Sequence, residues 1–109
     1  MSRCFLGVVT AAALLVSGVG HAADLEAAKK KVSEICQACH GMDGNSQVPD
    51  YPKLAGQNQD YLAKALRDYK SGARKDPTMN GFAGTLTPQD IDNLAAYFSA
   101  QPAVLQSRM

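Results

Sequence analysis

The chain has 109 residues, with 11 basic and 10 acidic side chains, three cysteines, two histidines and no tryptophan. That near-balance of charge excludes the clustered positive surface on which nucleic-acid binding rests. Aromatic residues make up only 6% of the chain, so a single small domain of this length has a thin core of its own.

The first residues do not read as part of that domain. Arg3 supplies a short positive segment, and Cys4 to Val19, sixteen residues, are apolar and broken by Gly, Thr and Ser. Gly20 and Ala22 then place small residues where a signal peptidase needs them, which is the layout of a cleaved secretory leader over residues 1–22. An uncleaved anchor is the alternative, but the apolar run falls short of the roughly 20 residues of a membrane span. Cys4 lies ahead of the run and is poorly placed for lipid attachment at a mature N-terminus. Cleavage leaves 87 residues, 23–109, with 10 basic and 10 acidic groups. It also leaves two cysteines and one histidine, all within residues 36–41. Domains of this size are often reinforced by a disulfide, a metal or a cofactor.

A first helix is expected from about Asp24, with Leu25, Ala28, Val32 and Ile35 on one face and Cys36 and Cys39 continuing it. Lys29, Lys30 and Lys31 point mostly outward, as a solvated face rather than a docking patch. Residues 41–58 carry three glycines and two prolines and read as a loop, long enough to wrap something or to carry function. A second helix runs from an Asn58 cap to about Ser71, with Gly72 to end it and Tyr61, Leu62, Ala65, Leu66 and Tyr69 on its apolar face. A further loop, "GARKDPTMNGFAG", spans residues 72–84. The third helix has the clearest start: Thr87 caps, Pro88 takes the first position, Asp90 completes a capping box, and Leu86 and Ile91 staple across it. Ile91, Leu94, Ala95 and Phe98 mark its buried face, and the tail from Gln101 is expected to fray. With no strand runs, repeats or nucleotide-binding glycine pattern, the fold class is small and all-α, with long loops.

Residues 36–41, "CQACHG", carry the chemistry. C-x-x-C-H is the attachment signature of c-type haem. Residues at i and i+3 share a helix face, so Cys36 and Cys39 can each form a thioether to one haem vinyl group, and His40 follows as the iron ligand from the same side. Structural zinc commonly takes four Cys or His ligands, and the mature chain offers three. A thioredoxin-like motif calls for a βαβ neighbourhood that is missing here. A Cys36–Cys39 disulfide also satisfies the spacing, but it leaves the long loops without a reason.

His40 is the sole histidine after cleavage, which rules out a second imidazole from the same chain. Of the three remaining methionines, Met42 is too near His40 to reach the other haem face, and Met109 is the terminal residue. Met79, 39 residues beyond His40 in the "DPTMNGF" loop, is left as the sixth ligand. The competing reading of a lone methionine is core filler.

At this point the sequence closely resembles the class I c-type cytochromes, in particular the small bacterial c-553-like branch. The likeness extends from "CQACHG" through "GNSQVPDYPKLAGQNQDYLAKALRDYKSGAR" to "MNGFAGTLTPQDIDNLAAYFSAQ", essentially the whole mature chain. It implies three main helices wrapping one covalently attached haem c, with the terminal helices crossing and Tyr97 or Phe98 packed at that crossing. It also implies that the Pro52 carbonyl accepts the proximal histidine's ring N–H, fixing the tautomer of His40. Tyr51, Leu54, Tyr61, Leu62 and Phe82 match pocket-wall positions, although plain packing explains them equally well. Arg74 matches a propionate neighbour, or else is a solvated surface arginine. A single C-x-x-C-H implies a single haem, unlike two-haem relatives.

The resemblance implies a monomeric periplasmic electron carrier and not an enzyme, exchanging one electron between Fe(III) and Fe(II) with redox proteins that dock briefly at the haem edge, with no nucleic acid and no stable membrane insertion. Near-zero net charge predicts a modest effect of ionic strength unless Lys29, Lys53 or Lys75 cluster at that edge. The alternatives are a peroxidase or gas-binding protein with a labile sixth site, and a cytochrome subunit of a larger oxidoreductase.

Overall fold

The computed structural model describes residues 22–104 and the isolated Gly7; the expected leader and Met109 lie otherwise outside the described residues. Helix α1 spans Leu25–Lys31, capped by Asp24, whose carboxylate accepts from the Ala27 N–H at 2.9 Å. Val32–Cys36 then winds as a π-helical turn, and α2, Gln37–His40, carries the second half of the attachment motif. The first helix is therefore not one regular cylinder. Ala28 and Val32 are buried and Ile35 packs at the core margin, but Leu25, expected on the same stripe, is 48% exposed at the first turn.

Helix α3 spans Gln59–Ser71 between the expected Asn58 cap and Gly72, whose left-handed backbone (φ +84°) closes it. Helix α5, Pro88–Ser99, has the complete Thr87–Asp90 capping box. Between them lies a difference from the sequence reading. Pro77–Gly84 is a helix, α4, where a loop was expected, so Met79 sits in a first helical turn rather than in irregular chain. Asp76 caps it by accepting from the Met79 N–H at 3.0 Å, and Pro77 occupies the first position. Among the described residues there is no strand, and no helix is long and apolar enough to cross a membrane.

α1 packs on α5, and α3 packs on both α4 and α5. The Asp24 N–H donates to Asn93 Oδ1 at 2.9 Å, pinning the start of α1 to α5. Val32, Ile91 and Leu94 are fully buried, each contributing about 1.5–3 kcal/mol through removal from water. The rest of the core is light. Among the described residues, five of the eleven buried hydrophobic residues are alanines.

The 41–58 loop is folded onto α5 by backbone contacts. The Gly44 carbonyl accepts from Leu54 N (2.8 Å) and Ala55 N (3.2 Å), and Gly56 N donates to the Phe98 carbonyl at 3.0 Å. Gly44 makes this approach feasible. Its φ is +77°, and a Cβ there would lie 2.8 Å from Ala55 N and from Phe98 Cδ1. The terminal helices pack on each other as expected, while Tyr97 reaches the loop after α2. Phe98 is buried in the core, and Tyr97 Oη donates to the Met42 carbonyl at 2.7 Å. The tail does not fray at once, contrary to expectation. Asn45 Nδ2 donates to Pro102 O (2.9 Å), and its Oδ1 accepts from Val104 N (2.8 Å), so 102–104 are fastened to the loop.

Candidate functional site

Helix α2, the loop after it, α3 and α4 enclose a cavity of ≈ 280 Å³. Every site residue expected from the sequence lines it: Cys36, Cys39 and His40 from the attachment segment, Tyr51, Pro52 and Leu54 from the loop, Tyr61 and Leu62 from α3, Arg74 from the turn, and Met79 and Phe82 from α4. Ile35, Leu66, Tyr69, Leu86, Leu94 and Phe98 add to the wall, so the cavity opens directly onto the core.

His40 is 7% exposed, and its Nδ1 lies 2.9 Å from the Pro52 carbonyl oxygen. A carbonyl can only accept, so Nδ1 carries a proton, and in the neutral ring the lone pair is on Nε2. Pro52 reaches this place because the Gly44 hinge turns the loop back beneath α2. Tyr51 stands edge-on to the imidazole, ring centroids 6.3 Å apart.

Cys36 and Cys39 are both free, half-buried thiols; the alternative disulfide is not formed. Burial pushes the Cys36 thiol up to about 11, partly opposed by the nearby Lys31 ammonium. Cys39 lies beside Tyr51 and raises its phenol above the usual range. From the turn after α3, Arg74 donates to Tyr61 Oη at 3.3 Å and stacks 4.8 Å from the centroid of Tyr69. The Tyr61 hydrogen bond, the largest influence on it, raises the affinity of the guanidinium for its proton.

Of the three lysines considered for the cavity edge, Lys53 lines the cavity, but its ammonium is engaged with the Val104 carbonyl at 2.9 Å. Lys75 turns to Gly72 O at 3.3 Å, and Lys29 is on the outer face of α1. Among the described residues, Lys53 and Arg74 are the basic groups on the cavity lining. The rim is aromatic: Tyr51 and Phe82 are each 40% exposed and Tyr61 is 51% exposed.

These features fit haem c. Two thiols stand one turn apart, an imidazole is oriented through its Nδ1, a thioether lies on the same cavity, and large apolar side chains line a space the protein leaves open. A bare metal ion would have little use for the aromatic wall.

Tyr69 and Asp76 are among the lining residues that the sequence reading did not place at the site. Tyr69 is eight residues from Tyr61 on one helix face, a spacing that points both rings at one wall. Asp76–Pro77 repeats the cap-and-proline grammar of Thr87–Pro88 and is the signal that marks α4.

The cytochrome c family profile matches residues 25–101. The chain is 47% identical over 96 residues to cytochrome c4 of Stutzerimonas stutzeri, covering 79% of this chain and 45% of that protein. It is 40% identical over 83 residues to cytochrome c-554(548) of Halomonas halodenitrificans, covering 73% of this chain and 99% of that one. The crystal structure of reduced recombinant cytochrome c4 from Pseudomonas stutzeri superposes with a TM-score of 0.71 at 45% identity, over 77% of this chain and 48% of that chain. The chain thus spans about half the length of the c4 relatives it matches and nearly all of the shorter one. On the match of profile, sequence and fold, the chain belongs to the cytochrome c family.

Proposed function

We propose that residues 23–109 form a monohaem electron-transfer domain, released into the periplasm when residues 1–22 are removed, that passes single electrons between redox proteins. The observation that carries this reading is that His40 and Met79, 39 residues apart, line one cavity with the two free thiols. Bound haem supplies the Fe(III)/Fe(II) couple. The chain's residues do the rest. Cys36 and Cys39 anchor the ring, and His40 donates Nε2 in an orientation held by the Pro52 carbonyl. Met79 offers a soft sulfur that favours the lower iron charge and raises the potential. Apolar walls from α3 and α5 keep water from the site and disfavour extra charge there.

One C-x-x-C-H in the chain, and a relative of single-domain length, support one haem rather than two. With His40 and Met79 both available to hold the iron, no position would be left for substrate, which favours a carrier over a peroxidase or gas sensor. The aromatic rim suits brief apolar docking over a small interface.

The test is spectroscopic. Mature protein from a host that attaches haem should carry one covalent haem by mass and lack residues 1–22. It should also show the weak far-red ferric band of thioether ligation. Ferrous wild type should not take up carbon monoxide at neutral pH, whereas Met79→Ala should lose the band and bind it. Avid carbon monoxide binding by the wild type would overturn the carrier reading in favour of a sensor or enzyme.

A further inference from the structure

Asn80 follows Met79 directly, and its carboxamide is fully engaged. Nδ2 donates to the Tyr69 carbonyl at 2.7 Å and to the Arg74 carbonyl at 2.8 Å, while Oδ1 accepts from the Asp76 N–H at 2.9 Å. The chemistry of these partners fixes the orientation of the amide, since two carbonyls can only accept and one N–H can only donate. The three bonds join the end of α3, the middle of the 72–76 turn and the cap of α4. They close a ring of contacts around the segment that presents Met79, whose own N–H is held by Asp76. On its C-terminal side α4 is held differently, by the burial of Ala83 and Leu86 and by Lys70, whose ammonium donates to the Leu86 carbonyl.

We propose that Asn80 is the positioning residue for the sixth ligand: by locking the 72–76 turn to α3 it holds Met79 against the cavity and keeps its sulfur from giving way to an outside ligand. Arg74 is drawn into the same arrangement, because its carbonyl is one of the three partners while its side chain stacks on Tyr69. This rests on the reading of Met79 as an axial ligand.

Exogenous imidazole binds ferric haem only when the protein's sixth ligand is displaced, so its apparent affinity reports the fraction of molecules in which Met79 has let go. Asn80→Ala removes all three side-chain bonds but keeps the backbone bond from Asn80 N to Asp76 O at 2.7 Å, so α4 still forms. It should bind imidazole about tenfold more tightly than wild type, since one net hydrogen bond is worth about that factor. Asn80→Asp keeps the acceptor but turns oxygen lone pairs on the Tyr69 and Arg74 carbonyls, and should bind imidazole at least as tightly as the alanine variant. The control is Asn93→Ala, which removes the buried acceptor that ties α1 to α5, away from the cavity. It should lower the melting temperature yet leave imidazole affinity within about twofold of wild type.

Wild-type imidazole affinity in Asn80→Ala, or an equal rise in Asn93→Ala, would overturn the positioning role. If the alanine variant does not accumulate, Asn80→Asp decides by the same criterion. A wild-type far-red band that survives Met79→Ala would overturn the ligation reading and this inference together. A Met79-dependent band alongside unchanged imidazole affinity overturns this inference alone.

Discussion

Asp43, three residues beyond the second attachment cysteine's histidine, is exposed to solvent, yet it organises the loop. Its two carboxylate oxygens accept from Asn45 Nδ2 at 3.0 Å and from Asn45 N at 2.9 Å. The side-chain bond is the larger cause, and together they hold the Asp43 carboxyl below its ordinary range. A carboxylate with a depressed folded value contributes stability that is complete above its unfolded pKa, about 3.9, and is lost as pH falls through the folded one. Asp43→Asn should therefore lie a few degrees below wild type in melting temperature near neutrality, an effect kept small by solvent screening. The gap should close as the pH is lowered to about 2. A gap independent of pH would show that the charge is not what matters. Residues of this kind differ in how they show in a sequence. Cys36, Cys39, His40 and Met79 stood out in the sequence because their chemistry is rare and their number small, and all four line one cavity. Pro52 was legible only through family likeness, because the group it contributes is a backbone carbonyl. Asn80 was hidden for the same reason, since two of its partners are carbonyls that any residue could supply.

Among the elements, α3 and α5 were readable to within a residue because each begins with a side-chain cap and then keeps an apolar stripe on one face. α4 was not. Its eight residues include two glycines and no sustained stripe, and those features outweighed the Asp76–Pro77 start. Contacts with α3, not intrinsic preference, make it a helix, as expected when packing overrides propensity. The π turn at Val32–Cys36 was equally unreadable, since no residue in that stretch marks a change in the helical hydrogen-bond pattern. The docked tail depends on Asn45, which is 8% exposed and links the Pro102 carbonyl and the Val104 N–H to the loop. Asn45→Ala should cost about 2 kcal/mol, a melting shift on the order of 10 °C for a domain of this size. The Val104 amide should lose its protection from hydrogen exchange. Unchanged protection at Val104 would mean that Lys53 and the Gly56–Ala103 contact suffice to hold the tail.

At the scale of the molecule, the alanine-rich core and the open cavity belong together. Ala28, Ala63, Ala83 and Ala95 bring helices close but bury little surface, so the helices by themselves gain little from association. Leu66, Tyr69, Leu86, Leu94 and Phe98 border the cavity and the core alike, and Tyr61 and Phe82 stand half-exposed at its rim. A large apolar group seated there would bury both sets at once and bridge α2, α3 and α4. Covalent attachment then ensures that it stays. The prediction follows from removing the attachment rather than the ligands. A Cys36→Ala/Cys39→Ala chain, exported in the same host and stripped of loosely held haem, should have much less helix than wild type by circular dichroism at room temperature and no cooperative melt. Adding free haem should restore part of that helix, because His40 and Met79 are still present. The restored form should lose its haem to a scavenging apoprotein, as the wild type does not. If the stripped chain kept full helix and melted cooperatively, the side chains alone would be a sufficient core, and the cavity would be a site that the fold accommodates rather than one on which it depends.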